Sequence, residues 1–174
     1  MTATRGFGIY VHWPFCQAKC PYCDFNSHVS ANIDHEAWAK AYVSEIERAH
    51  HDIPDATLNS VFFGGGTPSL MDPRTIEAIL EKICATWTLA DDLEVTIEAN
   101  PTSVEADRFS AYASAGVNRV SIGVQSLNDA DLRRLGRLHS ADEARKAVET
   151  ANAHFQRMSF DSVSYTHLTL PTII

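Results

Sequence analysis

The sequence predicts an α/β protein in which parallel strands are joined by helices. Two observations carry that expectation. Short strand-like segments alternate with helical patterns from Gly6 to Asp161, and strands separated by helices become parallel neighbours through right-handed crossovers, in an open sheet or a barrel. Glycine-rich and polar residues fall at or just past the ends of the strand segments, which is where such folds gather their sites.

Gly6 to Trp13 is apolar and rich in strand formers, and reads as the first strand. Asp34 to His50 carries Trp38, Ala41, Tyr42, Ile46 and Ala49 near helical spacing. Ser60-Val-Phe-Phe63 is a short apolar strand stopped by three glycines. Asp72-Pro73 supplies an N-cap and a first-turn proline for a helix through Ile76, Ile79, Leu80 and Ile83. Leu93 to Ala99 alternates as a third strand. Ser103 opens a helix that Gly116 closes. Val117 to Val124 is a fourth strand, Asn128 to Leu135 and Ala141 to His154 are two more helices, and Met158 to Asp161 begins a fifth strand.

The 174 residues are 45% hydrophobic, enough for one sizeable domain and too few for two. A net charge of −8 without a basic tract argues against nucleic acid as a partner. No apolar leader or membrane-length apolar run is present, so the chain reads as a soluble, cytoplasmic protein of a reducing compartment.

Cys16, Cys20 and Cys23 form a C-x₃-C-x₂-C triplet. Three thiolates on one short loop suit a four-iron cluster and leave one iron without a protein ligand, free to bind a substrate or cofactor. A structural zinc site needs a fourth ligand, for which His12, His28 and Cys84 are the candidates. His12 lies in a strand, from which its ring can point away from the loop. Three unrelated buried cysteines are the plain alternative, whereas a disulfide framework does not fit so low a count.

Gly64-Gly65-Gly66-Thr67-Pro68 lets backbone approach a ligand and exposes N–H groups, or is a plain strand-to-helix turn. It lacks the G-x-G-x-x-G of a dinucleotide fold. Glu98 ends the third strand, where it can hold a ribose hydroxyl or a cationic amine or sit solvated on the rim. Gln125 is a ligand contact or a helix cap, Arg137 is by default a surface arginine, and His50-His51 reads as a solvated pair. Cys84 reads as a buried helix position.

Together, Tyr10-Val-His-Trp-Pro-Phe-Cys16-x₃-Cys20-Pro-Tyr-Cys23-Asp-Phe-Asn-Ser-His28, Phe63-Gly-Gly-Gly-Thr-Pro-Ser69, Ile97-Glu-Ala-Asn-Pro101 and Ser121-Ile-Gly-Val-Gln-Ser126 resemble the HemW-type radical S-adenosylmethionine (SAM) proteins. These are relatives of oxygen-independent coproporphyrinogen III oxidase. The resemblance runs from about residue 6 to Asp161 and implies the amino-terminal part of a partial (β/α)6 barrel, with four complete βα units and the start of a fifth strand. It implies that Cys16, Cys20 and Cys23 ligate a 4Fe-4S cluster whose open iron binds the amino and carboxylate groups of S-adenosylmethionine. Tyr10, Tyr22, Gly65, Gly66, Thr67, Glu98, Gln125, Arg137 and Asp161 match its cofactor contacts, Tyr22 suited to lie against the adenine. Reductive cleavage there yields methionine and a 5′-deoxyadenosyl radical.

One departure separates the branches. The decarboxylating oxidases have another cysteine two residues after the third, where this chain has Phe25. Phe25 marks the branch regarded as haem chaperones, so the resemblance implies haem or porphyrin as ligand in the full-length parent, a haem-accepting respiratory protein as partner, and membrane association only through that partner. The alternative is the oxidase itself.

The pattern breaks after Asp161. Val163 to Thr172 matches, residue for residue, the translation of an adapter used to build transposon-based sequencing libraries, so residues 162–174 are expected to be adapter read-through and residues 1–161 an incomplete radical SAM core. The fifth strand is then expected to present an unpaired edge, and the fragment to be aggregation-prone or only marginally folded when expressed alone.

Overall fold

The computed structural model describes residues 6–162. Its strands are β1 (Gly6–Trp13), β2 (Phe15–Cys16), β3 (His28–Val29), β4 (Thr57–Gly65), β5 (Thr88–Ala99), β6 (Arg119–Gln125) and β7 (Arg157–Ser162). Its helices are α1 (His35–His50), α2 (Pro73–Thr86), α3 (Ser103–Ala106), α4 (Phe109–Ser114), α5 (Asp129–Arg134) and α6 (Ala141–His154). A 3₁₀ turn spans Pro68–Leu70.

Five strands form one parallel sheet in the order β1-β4-β5-β6-β7. The order follows the chain without reversal, as in the wall of a β/α barrel and unlike a doubly wound sheet. Four βα units are complete and β7 begins a fifth. Among the described residues β7 pairs with β6 alone, leaving its outer edge open. Ser162 is the last residue of β7 and pairs with Gln125, while the rest of the expected adapter tail lies outside the described residues.

Period-two alternation gives the sheet two different faces. Val11, Trp13, Val61, Phe63, Val95, Ile97, Val120 and Ile122 are buried in one cluster with Ile76, Ile79 and Ile83 of α2, Phe109 and Tyr112 of α4, and Ala144 and Ala151 of α6. Each large side chain so buried stabilises the fold by roughly 1.5–3 kcal/mol. The opposite parity places Glu94, Thr96 and Glu98 of β5, Arg119, Ser121 and Gly123 of β6, and Arg157, Ser159 and Asp161 of β7 in register on the concave face. There Arg119 lies 3.5 Å from Glu94 and donates to Ser159 Oγ at 2.9 Å, while Arg157 lies 3.1 Å from Glu94.

The helix starts are set by caps. Asp34 accepts from the Ala37 N–H at 2.9 Å, Asp72 accepts from the Arg74 N–H at 2.9 Å ahead of Pro73, and Ser140 forms a reciprocal capping box with Glu143. Gly116, at φ +108°, ends α4 as expected.

Several expectations are corrected. The helix expected to run from Ser103 to Gly116 is broken into α3 and α4 at Asp107-Arg108, where Arg108 turns inward to donate to the Ser69 and Leu70 carbonyls. β5 starts at Thr88, five positions before the expected Leu93, because its register with β4 slips between Leu58 and Ser60 and hides the early strand behind Asp91-Asp92. Ala41 is exposed although its neighbours on α1 pack inward, and Cys84 is exposed on α2, not buried. His50 is half-buried, its ring edge-on to Trp87 at 5.6 Å, so the His50-His51 pair is not wholly solvated. Among the described residues no helix is long and apolar enough to cross a membrane.

Candidate functional site

β1 delivers the chain to the cysteine loop at the carboxyl ends of the strands. Phe15 and Cys16 pair in parallel with His28 and Val29, and the His28 N–H donates to the Pro14 carbonyl at 2.7 Å, so a small clasp closes the loop at its base. Inside it, the Cys23 N–H donates to the Cys20 carbonyl at 3.1 Å across Pro21-Tyr22, a β-turn that draws two of the cysteines together. His12 does not point away, as its strand position suggested. Its Nε2 donates to the Asn26 carbonyl at 3.0 Å, while Nδ1 lies 3.4 Å from the Tyr10 hydroxyl. The imidazole therefore anchors the loop.

The glycine run passes directly beneath this loop. The Gly66 and Thr67 N–H groups donate to the Trp13 and Phe15 carbonyls at 2.6 and 2.8 Å. A Cβ on Gly66 would lie 2.9 Å from Cys16 Sγ and 2.6 Å from the Phe15 carbonyl oxygen, so only glycine lets the first thiol rest on the backbone. Gly65 has φ +116°, a conformation that L side chains rarely adopt.

The far side of the site hangs on Arg137. Its guanidinium donates to Asn100 Oδ1 at 2.6 Å and the Gly123 carbonyl at 2.8 Å, and reaches toward Tyr22 Oη at 3.5 Å and Cys20 Sγ at 3.7 Å. A Cβ on the preceding Gly136 would meet the Pro21 ring at 2.7 Å, so the cysteine loop packs onto that turn. Gln125 has φ 65°, the sole non-glycine residue with positive φ among the described residues, and its Nε2 donates to Asp161 Oδ2 at 2.8 Å. Such backbone strain collects at functional sites.

These parts enclose an open cavity of about 320 Å³. Cys16, Cys20, Cys23, Tyr22, Gly65, Gly66, Thr67, Glu98, Gln125, Arg137 and Asp161 all line it. Tyr10 does not. Its exposed ring stacks near Phe62 on the adjacent strand, at 6.1 Å. The three thiols ring the cavity without converging on a point, and among the described residues no three His, Cys, Asp or Glu side chains gather as one metal ion would require. Burial pushes the Glu98 carboxyl above its ordinary range, opposed by a Gly65 backbone hydrogen bond and reinforced by the Asp161 charge. Burial likewise raises the Tyr22 phenol, opposed by Arg137.

Asn100, Ser121 and Gly123 also line the cavity and were not singled out by sequence reasoning. Asn100 was detectable as the polar residue in the turn after β5, held before Pro101. Phe25, noted only as the mark of a branch, lines the cavity while 58% exposed.

Comparison with known proteins agrees with this arrangement. Residues 10–173 match the family model described as the radical SAM superfamily. The chain is 45% identical over 154 residues to the bovine (Bos taurus) mitochondrial radical S-adenosyl methionine domain-containing protein 1, covering 88% of this chain and 35% of that protein. It is 43% identical over 145 residues to the heme chaperone HemW of Escherichia coli K12, covering 83% of this chain and 38% of the relative. The solved structure of the Escherichia coli coproporphyrinogen III oxidase HemN, a radical SAM enzyme, superposes with a TM-score of 0.81 at 25% identity, covering 91% of this chain and 37% of that one. The chain thus spans little more than a third of the length of these relatives. With its cysteine loop, glycine turn and polar strand ends on one parallel sheet, this chain belongs to the radical SAM superfamily.

Proposed function

We propose that the chain binds a 4Fe-4S cluster through Cys16, Cys20 and Cys23, binds S-adenosylmethionine beside it, and serves haem delivery as a member of the HemW branch. The donor set fits the cluster. Three thiols border one cavity, glycine backbone replaces a side chain beneath Cys16, and Glu98, Asn100, Gln125, Arg137 and Asp161 bring polar groups to the wall. When bound, the pair supplies one-electron cleavage of the sulfonium carbon–sulfur bond, chemistry that belongs to the cofactors.

The residues orient and shield. Gly65, Gly66 and Thr67 offer backbone to the methionine end, while Glu98 and Asp161 offer carboxylates to an ammonium or to ribose hydroxyls. Gln125 is already held by Asp161, and Arg137 braces Tyr22 against the strand ends. Residues 1–161 constitute the radical SAM portion of the chain in this reading, with 162–174 foreign to it.

The observation that favours haem delivery over porphyrinogen oxidation is Phe25. It presents an exposed aromatic ring at the cavity where the oxidases place a further cysteine, and an apolar ring suits a flat macrocycle better than a thiol does. The name of the 43% identical Escherichia coli relative, heme chaperone HemW, favours the same branch. The test is a paired assay on the anaerobically reconstituted protein. Haem titration followed by its Soret band is expected to saturate, and coproporphyrinogen III is expected to remain undecarboxylated in the presence of S-adenosylmethionine. Decarboxylation of coproporphyrinogen III would establish the oxidase instead.

A further inference from the structure

Among the described residues Glu105 is the one carboxylate buried almost completely, at 2% exposure, and it does not line the cavity. A carboxylate taken out of water is costly unless its oxygens are satisfied. Here they are. Oε2 accepts from the Asn100 backbone N–H at 2.9 Å and from the Ser69 hydroxyl, and Oε1 accepts from the Thr102 hydroxyl at 3.3 Å.

Those donors belong to two different loops. Ser69 stands in the 3₁₀ turn that follows Gly65-Gly66-Thr67, the loop after β4, and Asn100 and Thr102 form the loop after β5. Both loops reach the cavity one step further on. The Asn100 side chain donates to Thr67 Oγ1 at 3.3 Å and accepts from Arg137 at 2.6 Å, and Arg137 reaches Tyr22 and Cys20. A continuous set of hydrogen bonds therefore runs from Glu105 behind the wall to three residues on it, Thr67, Asn100 and Arg137. The surrounding groups hold Ser69 from the other side. Arg108 donates to the Ser69 and Leu70 carbonyls at 3.3 Å, and the Tyr112 hydroxyl lies 2.6 Å from the Ser69 carbonyl oxygen and 2.9 Å from that of Met71. Arg108 and Tyr112 do not bridge to the Asn100 loop, so among the described residues two direct links join the loops: the Asn100–Thr67 side-chain hydrogen bond on the wall and the Glu105 carboxylate behind it.

We infer that Glu105 is a positioning residue for the cofactor site, its carboxylate tying the loop after β4 to the loop after β5 and so fixing Thr67, Asn100 and Arg137 on the cavity wall. The inference rests on the reading of that cavity as the S-adenosylmethionine site. It gives a first-turn helix glutamate, outwardly a helix-start signal, a role in the geometry of a site it never touches.

The test compares Glu105→Gln, Glu105→Asp and Glu105→Ala with the parent in the full, anaerobically reconstituted chain. S-adenosylmethionine affinity is measured by equilibrium dialysis and normalised to cluster content, and thermal melting and hydrogen exchange at the Asn100 amide are measured on the cluster-free chain. Losing a buried, charge-assisted link predicts about a tenfold weaker Kd in Glu105→Asp and Glu105→Ala, with lost protection at Asn100. Glu105→Gln is expected to stay within about threefold of the parent, because its amide oxygen can accept from both Ser69 and Asn100. If Glu105→Ala fails to fold, Glu105→Asp decides. An unchanged Kd in folded Glu105→Asp overturns the inference, whatever its melting temperature, since a purely structural role would move melting alone. A parent chain that carries the cluster yet binds no S-adenosylmethionine overturns the reading of the site, and the inference falls with it.

Discussion

The two faces of the sheet are built from the same strands to opposite compositions. The face beneath the helices is a continuous apolar layer around Trp13, Val61, Phe63, Ile97 and Ile122, whereas the concave face carries Glu94, Arg119, Arg157 and Asp161 and ends in the cysteine-lined cavity. A (β/α)8 barrel usually fills its interior with branched apolar side chains. This sheet leaves its inner face polar, and its stability comes from the outer layer. Fold and site can therefore be damaged separately.

The largest separable effect belongs to the thiols. Replacing any one of Cys16, Cys20 or Cys23 with alanine is expected to abolish cluster assembly, read as iron and sulfide content, while the circular dichroism of the cluster-free chain stays unchanged. On the other face, Phe63→Ala opens a void in the helix-packed layer and is expected to cost about 3–5 kcal/mol in chemical denaturation. Cluster content per folded molecule should be preserved. A Phe63 variant that folds normally but cannot assemble a cluster would break the separation of the two faces.

Arg137→Lys sharpens it. A single ammonium cannot reproduce a planar guanidinium's simultaneous contacts with Asn100, Gly123, Tyr22 and Cys20. S-adenosylmethionine affinity is expected to fall about tenfold, with a change in stability below about 1 kcal/mol.

The smallest effect is a pH dependence. Burial holds the His139 imidazole below its ordinary value of 6.5, with Nε2 hydrogen-bonded to the Val124 carbonyl at 3.0 Å. A depressed base contributes stability that is present above the unfolded value and lost as pH falls through the folded one. Denaturation midpoints should therefore drop as pH falls below 6.5, and His139→Gln should flatten that slope. Glu105 tilts the other way. Burial raises its carboxyl above 4.5, so the stability it contributes is present below 4.5 and lost as pH rises through its folded value.

Much of this was legible in the sequence because the chemistry sits at strand ends. The cysteine triplet, Gly65-Gly66-Thr67, Glu98, Gln125 and Asp161 each follow or close a recognisable apolar strand, and a parallel sheet carries all such ends to one rim. Two-residue strands have no periodicity, so the β2–β3 clasp left no signal. Glu105 resembled any acidic residue in a helix's first turn, and its burial depends on donors from a loop more than thirty positions earlier. Arg137 on its own read as a surface arginine and was marked as a contact only through the family resemblance, because its partners Asn100 and Gly123 lie 37 and 14 positions away. Cys84 was misread because one helical position separates it from the buried Ile83.

In the proposed function the three-thiol loop holds a cluster with one iron open to S-adenosylmethionine. That arrangement is tested most directly by low-temperature electron paramagnetic resonance of the reduced, anaerobically reconstituted chain, with and without S-adenosylmethionine. A four-iron signal whose g values shift when S-adenosylmethionine is added is the expected result. A cluster signal that does not respond to S-adenosylmethionine, or a chain that takes up zinc in preference to iron and sulfide, would contradict it.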